Sequence, residues 1–195
     1  MTLKVRTQPV YSEITDSFNI PSEIQRRLPK EWQLSEHQLQ TYKAILDPSV
    51  EVVFNTALTG DGKSLAAYLP VLTNDYHGFG MYPTIELLRD QTRQFVNYCR
   101  AFQNDIMCLP LWGSEITRLA KEHGFKERGE WLVSQFKNHD VILTNPDIFN
   151  LVMNYRYRTF IYNDVELPYS LGIGYDYFVF DEFHILSIHL KRDTV

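Results

Sequence analysis

The feature that most constrains the fold is residues 57–64, with the sequence ALTGDGKS, which lie between an apolar stretch and a helical pattern. Glycines let the backbone curl around an anion, and the first N–H groups of a helix have no acceptor within it. A lysine at the end of such a loop reaches phosphate oxygens, and a hydroxyl next to it can bind Mg²⁺. The segment therefore predicts a phosphate-binding loop, although its first position, which is normally glycine, is Ala57.

Short apolar segments alternate with helical patterns along the chain. Predicted strands, which are apolar and rich in β-branched or aromatic residues, cover 51–55, 80–82, 105–109, 141–144 and 177–181. Predicted helices cover 35–47, 63–74, 85–101, 114–122, 129–136 and 147–154. Strands that alternate with helices form a mostly parallel sheet. The sequence thus predicts an α/β fold, with residues 1–30 as an N-terminal extension on the edge of a domain that covers residues 31–195.

Composition excludes several classes of protein. With 44% hydrophobic residues, 14% aromatic residues and a net charge of -5, the chain is neither disordered nor a simple basic coat for nucleic acid. No apolar run approaches the ~18–20 residues of a transmembrane helix, and the first residues lack the apolar core of a secretory signal. Cys99 and Cys108 match neither a metal motif nor a disulfide framework. We therefore expect a cytoplasmic protein with reduced thiols and no membrane partner.

An acidic pair follows the last apolar strand. Residues 178–184 have the sequence FVFDEFH, so the strand delivers Asp181 and Glu182 to the carboxyl edge of the sheet, where open α/β sheets bind ligands. Asp181 can bind Mg²⁺ together with Ser64. Glu182 can orient and deprotonate an attacking water molecule. Together with the phosphate loop, in which Lys63 reaches the β- and γ-phosphates, the pair predicts nucleotide hydrolysis.

In this order, Gln38, GDGKS and DEFH resemble the motifs of the first RecA-like domain of superfamily 2 helicases. Residues 82–91, YPTIELLRDQ, resemble motif Ia of that superfamily, and residues 143–149, LTNPDIF, resemble its motif Ib. The sequences of these two motifs, taken together with VFDEFH, are most similar to those of the helicase subunit of type I-D CRISPR interference complexes. The resemblance implies a P-loop NTPase fold, a RecA-like three-layer sandwich, with ATP and Mg²⁺ as cofactors.

The resemblance also implies a nucleotide-binding role for each matching residue. Gln38 would read the adenine edge, although Gln33 and Gln40 are alternatives in the same segment. His184 would couple the nucleotide site to the surface that grips the nucleic-acid strand. The remaining ATP contacts are loop residues, namely Thr59, Gly60, Asp61, Gly62, Lys63 and Ser64.

A further implication is a contact surface for one strand of DNA. Its members lie in the two motifs that follow the second and fourth predicted strands, and they are Pro83, Thr84, Arg89, Thr144, Asn145, Pro146 and Asp147. Such contacts use loop N–H groups and hydroxyls, so they need no large net positive charge. The implied partners are single-stranded DNA, a second RecA-like domain and a CRISPR interference complex.

A helicase of this kind continues beyond its DExH motif into a second RecA-like domain. We therefore expect the 195-residue chain to be a fragment or one half of a split protein, incomplete after DEFH. Two other functions stay open at this point. The chain could belong to an RNA-remodelling or DNA-repair helicase, or it could be a non-catalytic nucleotide-binding module that serves as a docking surface.

Overall fold

The computed structural model describes residues 13–58, 60–159 and 166–182. The chain divides into two compact units, with the boundary between Asn74 and Asp75. The predictions for Thr59, for His184 and for the first part of the N-terminal extension lie outside the described residues.

The first unit is helical. Its helices are α1 (Ser22–Arg27), α2 (Glu36–Leu46) and α3 (Lys63–Thr73), and both α1 and α2 pack against α3. The described part of the extension joins the start of α2, since the Thr15 N–H donates to the Leu34 carbonyl at 2.8 Å. The predicted helices at 35–47 and 63–74 are confirmed.

The predicted strand at 51–55 is wrong. Residues 51–58 form neither a strand nor a helix, and the side chains of Val52 and Phe54 are 61% and 58% exposed. An apolar, β-branched segment becomes a strand only where a neighbour supplies ladder hydrogen bonds. None of the strands in the described residues pairs with this segment. The Asn55 side chain holds it instead, accepting the Ala57 N–H at 3.1 Å and donating to Thr41 Oγ1 at 3.0 Å.

The second unit contains a parallel sheet. Its strands are β1 (Gly78–Met81), β2 (Cys108–Pro110), β3 (Val141–Thr144) and β4 (Tyr177–Phe180), in the order β2-β3-β1-β4. Every pairing is parallel, so the carboxyl ends of all four strands meet at one edge. The predicted α/β alternation is confirmed in this unit, with β1 beginning earlier and β2 later than the sequence predicts.

Helices connect these strands. They are α4 (Ile85–Ala101), α5 (Gly113–Glu122), α6 (Arg128–Asn138), α7 (Pro146–Met153) and α8 (Glu166–Gly174). The bounds of α4 agree with the prediction. None of the helices in the described ranges is long and apolar enough to cross a membrane. The sequence did not predict α8, because a proline in its first turn and two glycines near its end weaken the helical pattern.

An aromatic cluster forms the centre of the core in the second unit. The Phe79 ring on β1 is fully buried, and its centroid lies 5.4–6.2 Å from the centroids of four other rings. These rings come from α6, α7, β4 and the residue that follows α8, and they are Phe136, Phe149, Phe178 and Tyr175. Burial raises the pKa of the Tyr175 hydroxyl well above its usual range. The cluster fixes the helices against the central strand β1.

Candidate functional site

The predicted phosphate loop contacts the first turn of α2. His37 Nε2 lies 2.7 Å from the carbonyl oxygen of Asp61, and Gln38 Nε2 donates to the carbonyl oxygen of Gly62 at 3.1 Å. Both side chains are buried. Two consecutive residues of α2 therefore bind two consecutive carbonyls of the loop.

Gln38 is distinguished from the two alternative glutamines by these contacts. Its Oε1 accepts the backbone N–H of Ser35 at 2.9 Å while its Nε2 donates to the loop. Gln33 and Gln40 are exposed. The amide of Gln38 thus links the start of α2 to the start of α3.

Hydrogen bonds within the loop close it on itself. The Lys63 ammonium donates to the Ala57 carbonyl at 2.9 Å, which brings the two ends of the loop together. The Asp61 carboxylate accepts the Leu58 N–H at 3.1 Å, and the Asp61 N–H donates to the Leu58 carbonyl at 3.2 Å. The contact between Lys63 and Ala57 uses only the backbone carbonyl of Ala57. Alanine in place of the usual glycine at this position therefore leaves the contact intact.

Two loop glycines have positive φ, but only one is crowded. Gly60 has φ +95° and a Cβ built on it would meet nothing within 4 Å. Gly62 has φ +78°, and a Cβ there would lie 2.4 Å from Gln38 Nε2. Close approach to α2 is therefore a second reason for glycine at position 62.

This difference predicts unequal effects of alanine at the two positions. Gly60→Ala should lower the free energy of unfolding by about 1–2 kcal/mol, the cost of left-handed backbone for a residue with a Cβ. Gly62→Ala should cost about 1–3 kcal/mol more, since the methyl group displaces Gln38. Urea unfolding of the two variants tests this, and equal losses would mean that Gln38 does not constrain position 62.

The acidic pair lies at the carboxyl edge of the sheet in the second unit. The Asp181 N–H donates to the Met81 carbonyl at 3.0 Å, which continues the pairing of β4 with β1 by one residue. Glu182 turns the chain away, with φ +50°, and its N–H donates to Asp181 Oδ1 at 3.0 Å. Asp181 is half-buried and Glu182 is exposed. The prediction that an apolar strand delivers this pair to the sheet edge is confirmed.

The motif that follows β1 positions the start of α4. Thr84 Oγ1 accepts the Leu87 N–H at 3.2 Å, which satisfies one of the free donors of the first turn. Tyr82 is buried, and its N–H donates to the Thr144 carbonyl at 2.9 Å. Pro83 is half-buried between them, while the Thr84 side chain is exposed. Residues 83 and 84 are therefore presented at the carboxyl edge.

Arg89 is held by groups that follow β2. Its guanidinium carbon lies 5.1 Å from the centroid of the half-buried Trp112 ring, a cation–π geometry. A hydrogen bond from Arg118, and to a smaller extent the charges of Arg118 and Arg89, lower the pKa of the Glu115 carboxyl. The contact with Trp112 holds the Arg89 side chain on the exposed surface of α4.

The motif that follows β3 combines a buried threonine with exposed residues. Thr144 is fully buried, and its hydroxyl donates to the Leu111 carbonyl at 2.9 Å. Asn145 Oδ1 accepts the Ile148 N–H at 3.2 Å and so caps α7, whose first residue is Pro146. The side chain of Asp147 is exposed. The Thr144 hydroxyl is thus a structural group in this arrangement, and the three residues after it form the accessible part of the motif.

Within residues 13–58, 60–159 and 166–182, no group of three or more His, Cys, Asp or Glu side chains could hold a metal ion. His77 lies 3.5 Å from both Asp140 and Asp176, but these groups precede β1, β3 and β4 and so lie at the opposite edge from Asp181. The predicted Mg²⁺ ligands are divided between the units, with Ser64 in the first and Asp181 in the second.

Three residues that make these contacts lie outside the sequence motifs. His37 and Asn55 hold the phosphate loop, and Trp112 holds Arg89. The position of His37, next to Gln38 in a predicted helix, was the available signal. Nothing comparable in the sequence marked Asn55, which lies in the segment that was predicted as a strand.

A model of the DEAD/DEAH box helicase family matches residues 35–194. The chain therefore belongs to this family and carries a helicase ATP-binding domain, as the resemblance to superfamily 2 helicases predicts. Among solved structures, the chain is similar to the DUF1998 helicase MrfA bound to DNA and AMPPNP, with 19% sequence identity and a TM-score of 0.48. The similarity covers 77% of this chain but only 19% of that one. No curated protein matches the chain.

Proposed function

We propose that this domain binds ATP and, as part of a complete helicase, couples ATP hydrolysis to movement along single-stranded DNA in the cytoplasm. The observation that carries the proposal is the closed GDGKS loop, which α2 anchors and which Lys63 spans, in a chain of the DEAD/DEAH box family. The experiment that tests it is ATP turnover by this chain mixed with a candidate second RecA-like domain, with and without single-stranded DNA. Absence of ATP binding by the chain would contradict the proposal.

The contacts of the loop support ATP binding in the proposed arrangement. N–H groups from Thr59 to Ser64 and the first turn of α3 would surround the phosphates, with Lys63 leaving the Ala57 carbonyl to bind them. A side-chain amide has two N–H donors and two acceptor lone pairs. Gln38 uses one of each on the backbone, which leaves the others available for the adenine edge.

Oxygen donors support Mg²⁺ as the metal. Mg²⁺ in nucleotide sites is held by one or two protein oxygens together with substrate phosphates. Ser64 and Asp181 would hold Mg²⁺, which supplies charge neutralisation of the phosphates. Glu182 would accept a proton from the attacking water molecule, and His184 would couple this site to the nucleic-acid surface.

The carboxyl edge of the sheet in the second unit is the proposed DNA-contact surface. The helices α4, α5 and α7 each begin at this edge, and helix N-termini favour phosphate. The proposed contacts are exposed or half-buried groups there, namely Pro83, Thr84, Arg89, Asn145, Pro146 and Asp147, with Thr144 supporting them from within the sheet.

A matched pair of arginines on α4 tests this surface. Arg89→Ala should weaken binding of single-stranded DNA and lower the slope of log affinity against log salt by about 0.7, since one phosphate contact is lost. Arg100→Ala removes the same charge in the last turn of the same helix, about 16 Å away along the axis, and should leave the slope unchanged. Fluorescence anisotropy across a salt series measures both, and equal slopes for the two variants would exclude Arg89 from the contact.

The finer proposal is a role in CRISPR antiviral defence. It is supported by the sequences of residues 82–91, 143–149 and 179–184, which resemble those of the type I-D helicase subunit. We expect the chain to bind a reconstituted type I-D interference complex and to require a second RecA-like domain for turnover.

Stimulation of the completed protein by RNA but not by single-stranded DNA would favour an RNA helicase. If Lys63→Ala left assembly of the complex unchanged, and if no ATP turnover occurred even with the second domain supplied, a docking module would be favoured.

A further inference from the structure

Two adjacent side chains on α2 contact the carbonyl oxygens of two consecutive residues in the predicted phosphate loop. We propose that His37 is a positioning residue for the phosphates of the nucleotide, an inference that rests on the proposed ATP binding by residues 57–64. His37 is 4% exposed, and neither the loop motif nor the acidic pair includes it.

The hydrogen bonds around His37 select one form of its ring. Asn55 Oδ1 accepts the Ala57 N–H at 3.1 Å, so it is the Asn55 amide nitrogen that faces His37 Nδ1, at 3.4 Å. That nitrogen can only donate, and the Asp61 carbonyl near Nε2 can only accept. His37 Nδ1 is therefore the acceptor and Nε2 carries the proton. One neutral tautomer thus binds the segment before the loop, through Asn55, and the loop itself, through Asp61.

Peptide geometry converts these contacts into the direction of N–H groups. The C=O of one residue and the N–H of the next point in opposite directions across a trans peptide, and the described residues contain no cis peptide. Because His37 holds the Asp61 carbonyl toward α2, the N–H of Gly62 points away from α2. The Gly62 carbonyl, and hence the N–H of Lys63, is held by Gln38 together with the Ala66 N–H of α3, which donates to the same carbonyl at 3.1 Å. Both N–H groups are thereby presented on one side of the loop, as a bound phosphate requires.

Amide replacements of His37 separate this role from simple packing. A glutamine places its amide nitrogen near the position of Nε2, so His37→Gln can keep the bond to Asp61, whereas the shorter amide in His37→Asn cannot. Without this donor the half-buried Asp61 loses the bond between its carbonyl and α2, and the peptide between Asp61 and Gly62 is no longer held in this direction. We expect His37→Asn to raise the Kd for the fluorescent analogue mant-ATP about tenfold, and His37→Gln to stay within about threefold of the wild type.

The comparison uses the full 195-residue chain with two controls. Lys63→Ala should also weaken mant-ATP binding, and His123→Asn changes an exposed histidine of the second unit and should have no effect. Affinity for adenosine, measured by competition, should be the same in His37→Asn and the wild type, since adenosine has no phosphates. A merely structural role would lower the affinity for both ligands.

The outcomes distinguish the failure of this inference from failure of the proposed function. If the wild type does not bind mant-ATP, ATP binding itself is wrong and the positioning role falls with it. If the wild type binds and Lys63→Ala does not, but His37→Asn binds normally, only the role of His37 is overturned. Long-range ¹H–¹⁵N spectra of the wild-type histidine rings provide a second test that needs no variant. A proton on Nδ1 instead of Nε2 of His37 would also overturn the inference.

Discussion

Phe79→Ala is expected to lower the free energy of unfolding by about 3–5 kcal/mol. The Phe79 ring is fully buried on the strand β1, which pairs with β3 on one side and β4 on the other. Alanine removes edge-to-face and tilted contacts with four rings and leaves a cavity that strands on both sides prevent from closing. Since whole domains are stable by only about 5–15 kcal/mol, this one change removes a large part of the total.

Urea unfolding of Phe79→Ala measures the effect, with Phe18→Ala as the control. Phe18 is 97% exposed, so its removal should change the free energy of unfolding by less than about 0.5 kcal/mol. Phe79→Leu keeps most of the apolar volume and should recover more than half of the loss. A loss below about 1 kcal/mol in Phe79→Ala would show that the aromatic cluster does not hold the sheet together.

Helices with a clear helical pattern and strands with neighbours in the sheet could be predicted from the sequence. The amphipathic pattern of residues 85–101 marked α4, and the run Val141–Thr144 marked β3. In both cases the local pattern and the tertiary environment favour the same structure. Prediction failed at residues 51–55, where the apolar pattern of a buried strand has no neighbouring strand among the described residues, and at α8, where Pro168 and two glycines obscure the helix.

Candidate site residues could be proposed from the sequence where a residue type is tied to one chemistry. Lys63 and the Asp181-Glu182 pair were proposed because phosphate binding and Mg²⁺ binding restrict both the residues and their order along the chain. His37 and Asn55 could not be proposed, because histidine and asparagine have many uses and only the folded backbone brings the Asp61 carbonyl to the ring. Supporting residues depend on the path of the loop, and the motif alone does not specify that path.

Glu182→Gln is expected to lower ATP turnover by about 10²–10⁴-fold while ATP binding persists. The proposed base needs a carboxylate at this position, and glutamine keeps the size and the hydrogen-bonding shape of the side chain but cannot accept the proton. The N–H of residue 182 remains available to Asp181 Oδ1, because that bond uses only the backbone. The positive φ of Glu182 is equally accessible to glutamine, so the turn after β4 should be unchanged.

Lys63→Ala provides the contrast that identifies the two roles. Loss of the ammonium should weaken ATP binding itself, whereas Glu182→Gln should bind ATP and retain it. Turnover is measured with the chain plus a second RecA-like domain, in the presence of single-stranded DNA, and binding is measured with mant-ATP. Glu122→Gln changes an exposed carboxylate that pairs with Arg118 on α5, and it should leave both quantities unchanged. If Glu182→Gln turned over ATP at the wild-type rate, another group would have to accept the proton from water, and the acidic pair would contribute only through Asp181.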